Sequence, residues 1–213
     1  IYIAIGQSNM AGRGEMIDSL GDMDPVLGAW LFDNTGNWVP ASNPMNRYSA
    51  IRKSIHIQGI SPSYMCARVL AEQTKRPIGM VVNARGGTKL EVWQKGAKSK
   101  YYAKTVQRAL EAQKWGKIRG IIWHQGEGNV GSVARIENYL PQLAQFVSDL
   151  RKDLGNDSLY FVAGELARWQ IGKNNLKERK SLFNEKLGAI QQVIPFSDKV
   201  SSEGEGFAPI RMN

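Results

Sequence analysis

Three short polar segments hold the residues best suited to acyl chemistry. Gly6-Gln7-Ser8-Asn9-Met10 carries a serine directly after a glycine. Asn83-Ala84-Arg85-Gly86-Gly87-Thr88 carries a glycine pair, and His124-Gln125-Gly126-Glu127-Gly128-Asn129 carries an amide, an acid and an imidazole. A serine at a sharp turn can project its hydroxyl into a cleft, where turn N–H groups hold a developing oxyanion. The same position also suits a helix N-cap. Gly86-Gly87 lets backbone approach a ligand and leaves an N–H to donate, or forms a plain turn. Gln125 offers an amide donor to the same oxyanion, or bridges two loops as a buried amide. Glu127 is a candidate base, but orienting Arg13 or Arg85 through charge-assisted bonds is its expected role.

Each segment follows an apolar run. The runs are IYIAIG (1–6), IGMVVNA (78–84) and IRGIIWHQ (118–125), with LYFVAGEL (159–166) and a weaker DKVSS (198–202) after them. They are continuously apolar, as strands buried on both faces of a parallel sheet are. Helical periodicity separates them. The expected inward faces are Met65, Cys66, Val69 and Leu70, then Tyr102, Val106, Ala109 and Leu110. Further along they are Leu140, Leu143, Val147, Leu150 and Leu154, and finally Phe183, Leu187, Ile190 and Ile194. Pro141 fits a first helical turn, and Gly116 and Gly155 fit helix C-caps. Alternating strands and helices predict one three-layer α/β/α domain over residues 1–213. In such sheets ligands bind beyond the strands' C-terminal ends, so the three polar segments should meet there. Residues 7–58, rich in Gly, Asn, Pro and Trp, read as a long functional loop. Trp30, Trp38, Tyr48 and Trp93 are candidates for stacking on sugar rings near the site, or for ordinary packing under loops.

The bulk numbers narrow the classes. The net charge is +9, yet the basic residues are dispersed and no nucleic-acid motif is recognisable. Solvated basic faces or an acidic glycan partner suit that charge better. No apolar run approaches the length of a membrane helix, so no membrane partner is expected. The sequence opens at once on a strand-like segment, so no signal peptide is expected within it, and one removed or trimmed earlier stays open. The single cysteine, Cys66, permits no internal disulfide and no zinc cluster, and its place in an apolar helical pattern predicts a buried thiol.

Taken together, Gly-Gln-Ser-Asn-Met after the first strand, Gly-Gly-Thr, and Trp-His-Gln-Gly-Glu resemble the SGNH hydrolase superfamily. More narrowly they resemble carbohydrate esterase family 6 and the sialate O-acetylesterase-like proteins. The resemblance runs to about residue 204, where Val200-Ser201-Ser202-Glu203-Gly204 looks like the last strand. It implies a flavodoxin-like sheet, hydrolysis of sugar acetyl esters (acetylxylan or sialic-acid type), no metal and no cofactor. It suggests a secreted or periplasmic location. Ser8 matches the nucleophile and one oxyanion donor. Gly86 matches the second donor, and Gln125 falls where the wider superfamily has an asparagine donor. Asn9, Arg85 and Glu127 fall in supporting positions. The family's Asp-x-x-His, which supplies the general base, has no match, because no histidine follows His124. Three explanations stay open: a block missing from this chain, a glycan-binding member that does not cleave, or another base. His56 and His124 are the only imidazoles, and neither is expected to serve. His124 should point away from Gln125 and play a structural part, whereas His56 could line the cleft.

Overall fold

The computed structural model describes residues 1–168 and 174–203. The chain runs β1 (Tyr2–Gly6), α1 (Ser8–Ala11), β2 (Ala29–Phe32), β3 (Trp38–Pro40), α2 (Pro62–Thr74), β4 (Ile78–Ala84) and α3 (Tyr101–Gln113). It continues with β5 (Gly120–His124), α4 (Val133–Glu137), α5 (Tyr139–Asp153), β6 (Tyr160–Gly164), α6 (Asn174–Leu187), α7 (Ile190–Val193) and β7 (Ser197–Val200). One sheet forms in the order β3-β2-β4-β1-β5-β6-β7. Among the described strands only the β2–β3 pair is antiparallel. Without that hairpin, β4-β1-β5-β6-β7 is the expected flavodoxin-like order, with β1 between the strands that follow it.

The continuous apolar runs become strands because one sheet face is packed and the other is packed over β2, β4 and most of β1. Ile3, Ile5, Ile121, Trp123 and Phe161 enter one core, with side chains of α3, α5, α6 and α7. Ala4, Leu31, Met80 and Val82 enter the other, with α1 and α2. The stripe Leu140, Leu143, Val147, Leu150 and Leu154 is buried throughout, as its period requires. Pro141 lies in the first turn of α5, and Gly155 takes φ +68° just past its end.

Several expectations need correction. Residues 7–58 are not a plain loop, because they contain α1 and the β2–β3 hairpin that widens the sheet beside β4. Strands of four and three residues are too short to announce themselves by pattern. Helix α2 turns Ser63, Tyr64, Ala67 and Ala71 inward, leaving Met65 and Val69 exposed and Cys66 only half-buried. Small residues win that face because the helix packs closely against β4 and β2. Its apolar stripe of Met65, Cys66 and Leu70 instead borders a groove of about 1030 Å³, whose far wall is the sheet at Tyr2, Ile122 and Val162. In α3, Leu110 faces outward while Thr105 and Arg108 are buried. Gly116 is not a helix cap; α3 ends at Gln113 with Lys114 in that role. The stripe from Phe183 to Ile194 is buried as expected but is split between α6 and α7.

Candidate active site

The three polar segments do meet at the carboxyl ends of β1, β4 and β5. The meeting begins with Gly6, which pairs with Ala84 on one side and His124 on the other. A methyl group on Gly6 would stand 2.1 Å from the His124 carbonyl oxygen, and φ is +143°. Only glycine lets β1 run this close to β5 at its end. The Gln7 N–H then donates to the same carbonyl at 2.9 Å, while the Arg85 N–H donates to the Gly6 carbonyl at 3.0 Å. These two bonds fix where the chain leaves β1 and β4.

Ser8 is the first residue of α1, and Gln7, not Ser8, occupies the cap position. The N-cap reading of Ser8 therefore does not apply. Ser8 is half-buried, and a first-turn N–H has no partner within its own helix. Gly86 lies directly beside it: a methyl on Gly86 would stand 3.5 Å from Ser8 Cβ and 2.7 Å from Arg13 Nη2. Arg13 is held by its other nitrogen, Nη1, which donates to the carbonyls of Gly12 at 2.6 Å and Ile57 at 3.0 Å. Ser8, Gly86 and the Arg13 guanidinium thus form one cluster.

Gln125 is placed differently. It is 1% exposed, and its Nε2 donates to Gln7 Oε1 at 3.1 Å, Thr88 O at 3.0 Å and Asn129 Oδ1 at 2.8 Å. Its two N–H bonds are thereby shared among three acceptors, with none left over for an oxyanion. Its Oε1 accepts from the Tyr139 hydroxyl, which also accepts from Trp123 Nε1 at 3.0 Å. Burial holds the Tyr139 phenol well above its ordinary pKa, so it stays a donor. In this arrangement Gln125 is the buried amide that ties three loops together. Gly128 completes the brace. Its N–H donates to Gln7 Oε1 at 3.2 Å, and a side chain there would strike the Thr88 carbonyl at 2.3 Å.

Glu127 takes a partner the sequence did not indicate. Its Oε1 accepts from Asn9 Nδ2 at 2.5 Å, so it orients the residue after Ser8 instead of Arg13 or Arg85. Arg85 Nη1 reaches the Ile51 and Arg52 carbonyls, tying down the loop before α2. His124 Nδ1 stands 4.0 Å from Glu127 Oε1, and the ring lies against Gly164 at the end of β6. That is the side of β1 opposite Gly86. Exposed His56 sits in a single 3₁₀ turn, next to the Ile57 whose carbonyl holds Arg13. Among the described residues, neither imidazole hydrogen-bonds Ser8.

Asn46, absent from the sequence reading, and Asn83, given no role there, position the site from below. Asn46 brackets Ala84, donating to its carbonyl at 3.1 Å and accepting its N–H at 2.8 Å. Asn83 accepts from the Ser49 hydroxyl and the Ala50 N–H. Together they dock the loop before α2 onto the end of β4. Asn46, one asparagine in a Gly/Asn/Pro-rich stretch, gave no distinct signal. The sugar-stacking candidates do not gather at Ser8. Trp93 is fully buried, Tyr48 packs partly buried under Arg47, and Trp30 and Trp38 border a separate groove with Gly79, near the start of β4. Among the described residues no cluster of three His, Cys, Asp or Glu fits a metal, and no helix is long and apolar enough to cross a membrane.

Comparison with known proteins gives this geometry a family. A probable carbohydrate esterase of Arabidopsis thaliana is 29% identical over 185 residues, covering 78% of this chain and 68% of that protein. The crystal structure of an Arabidopsis thaliana protein superposes with a TM-score of 0.79 at 23% identity, over 95% of this chain and 85% of that one. NanS gives 0.67 at 16% identity, over 96% and 78%. A carbohydrate acetylesterase of Xanthomonas citri gives 0.63 at 18% identity, over 94% and 49%. At these identities the structural likeness establishes the fold. The sequence model of the carbohydrate esterases described as sialic acid-specific acetylesterases matches residues 1–207, and the chain belongs to that family.

Proposed function

We propose that this protein is a serine esterase that removes O-acetyl groups from carbohydrates, with Ser8 as nucleophile. The observation that carries the reading is the contact of Ser8 with Gly86 at the joined ends of β1 and β4. The Ser8 hydroxyl attacks the acetyl carbonyl. The carbonyl oxygen, gaining charge, lies against the Ser8 and Gly86 N–H groups, neither of which makes a backbone hydrogen bond among the described residues. Arg13 Nη2 adds positive charge on the same side. The sugar oxygen leaves with a proton, and water releases acetate from the acyl-serine. Gln125 serves this step by holding Gln7, Thr88 and Asn129 in place, so that the turns carrying Ser8 and Gly86 keep their spacing.

A serine hydroxyl is a weak nucleophile unless a base takes its proton. No described residue hydrogen-bonds Ser8 Oγ, and residues 204–213 lie outside the described part. The general base of the esterase reading is unassigned, and one second reading is a glycan-binding protein that keeps the fold without turnover. Hydrolysis of an aryl acetate by this chain, beside Ser8→Ala, separates the two. Activity at ordinary esterase rates that falls at least about 10³-fold on substitution supports the esterase. Equal background rates in both proteins favour the binding reading where the gene encodes no further Asp-x-x-His segment; where it does, the same pair of assays on the longer chain decides. The family description points to an acetylated acidic sugar. The +9 charge agrees with that substrate, and KM should then rise with added salt.

A further inference from the structure

Trp30 and Trp38 lie in a groove of their own. With Trp115, Pro77, Gly79 and Lys117 they border a cavity of about 490 Å³ between the hairpin and the end of α3. It opens near the starts of β2, β4 and β5, whereas Ser8 follows the end of β1. The two places are separated by about the length of a five-residue strand, some 16 Å.

Tryptophan is the most costly side chain to leave in water, yet Trp115 is 66% exposed and Trp30 41%. Trp38 is fixed beneath them. It packs on Phe32 at 5.0 Å between ring centroids, and its ring lies so close over Gly79 that an added methyl would meet it at 2.6 Å. Glycine at 79 therefore makes room for an indole. Three rings come from three elements, β2, β3 and the end of α3, so the aromatic walls exist before any ligand arrives. Indole faces of this kind suit the apolar C–H face of a pyranose ring. The one charged side chain among the lining residues is basic. Lys117 lines the cavity with no carboxylate among its lining residues. Exposed Lys75, Arg76 and Lys114 stand beside Pro77 and Trp115 in the chain, and none forms an ion pair among the described residues.

We infer that this groove is a second, non-catalytic binding site for an acidic oligosaccharide, bearing uronate or sialate groups. It holds a polymer at one end of the strands while an acetylated residue of the chain reaches Ser8 at the other. The inference takes its polymer from the esterase reading, but binding at the groove needs no chemistry at Ser8.

Calorimetric titration of the full chain carrying Ser8→Ala tests it. The probes are oligosialic acid, glucuronate-bearing xylan fragments without acetyl groups, and neutral xylan fragments. At least one acidic probe is expected to bind, and which one identifies the source of the acid group. Trp30→Ala with Trp115→Ala should weaken that binding about tenfold or more, with the unfolding temperature unchanged to show that the fold survives. Lys117→Glu should weaken it and flatten its salt dependence. Aryl acetate hydrolysis in the Trp115→Ala protein with Ser8 intact should match the parent, so failure of the esterase reading is scored separately. Equal affinity for the neutral fragments, no binding of either acid, or binding indifferent to the tryptophans overturns the inference.

Discussion

At the scale of single residues, the buried amide of Gln125 is where two accounts of the site part. An oxyanion donor lost by substitution costs catalysis and little stability. A brace costs stability first. Gln125 Oε1 and its backbone carbonyl both accept from the Tyr139 hydroxyl, at 2.9 and 2.8 Å, and the same hydroxyl satisfies Trp123 Nε1. Tyr139→Phe removes that oxygen without changing shape and strands an indole N–H and an amide oxygen in the core. The expected loss is about 1–3 kcal/mol in denaturant unfolding. If the brace account holds, Gln125→Ala is destabilised by at least as much. A Gln125→Ala protein of parental stability whose kcat drops instead would return the oxyanion role to Gln125. Arg13 was legible only as a possible neighbour of Glu127. Its approach to Gly86 depends on the chain folding back through Ile57, a contact 44 positions away that no local pattern encodes.

At the scale of elements, the strand ends carry the site, and Gly6 carries the strand ends. Strands β1 and β4 were readable because burial on both faces demands an unbroken apolar run, and β5 and β6 carry the same run although Ile122 and Val162 border a groove. The β2–β3 hairpin was not, because Ala29–Phe32 and Trp38–Pro40 are short and set among turn residues. The face of α2 was misread for a related reason. Periodicity finds the apolar stripe of a helix but not which neighbour it meets, and here the closer contact selects alanine and serine. The glycine requirement is sharper than any of these patterns. Gly6→Ala drives Cβ into backbone, not into a flexible side chain, so β1 must part from β5 at His124. Soluble expression should collapse, or the unfolding temperature should fall by many degrees. Gly87→Ala is the control at the same edge. No atom lies within 4 Å of its Cβ, so the strain of φ +75° alone should cost about 1 kcal/mol. Equal behaviour of the two variants would show that close strand approach is not what Gly6 provides.

At the scale of the whole molecule, the sheet is locked at its β7 edge by one buried acid, and this gives the fold a defined sensitivity to pH. Glu165 follows β6 and is 4% exposed. Burial alone would raise its pKa. Lys199 from β7, the Ser202 N–H at 3.1 Å and Arg168 at 2.8 Å outweigh that and hold it at about 2, below the 4.5 of a free glutamate. The folded chain therefore binds this proton less readily than the unfolded chain. Stability from Glu165 is fully present above about pH 4.5 and is lost as pH falls toward 2. The linked contribution is on the order of 3 kcal/mol at neutral pH. Glu165→Gln mimics the protonated acid, so it should be less stable than the parent at pH 7, and the gap should close as both are measured down to pH 2. Denaturant unfolding across that range reads the gap directly. A gap that stays constant with pH would mean that Glu165 holds β7 by shape and hydrogen bonding alone, and that acid sensitivity arises elsewhere in the sheet.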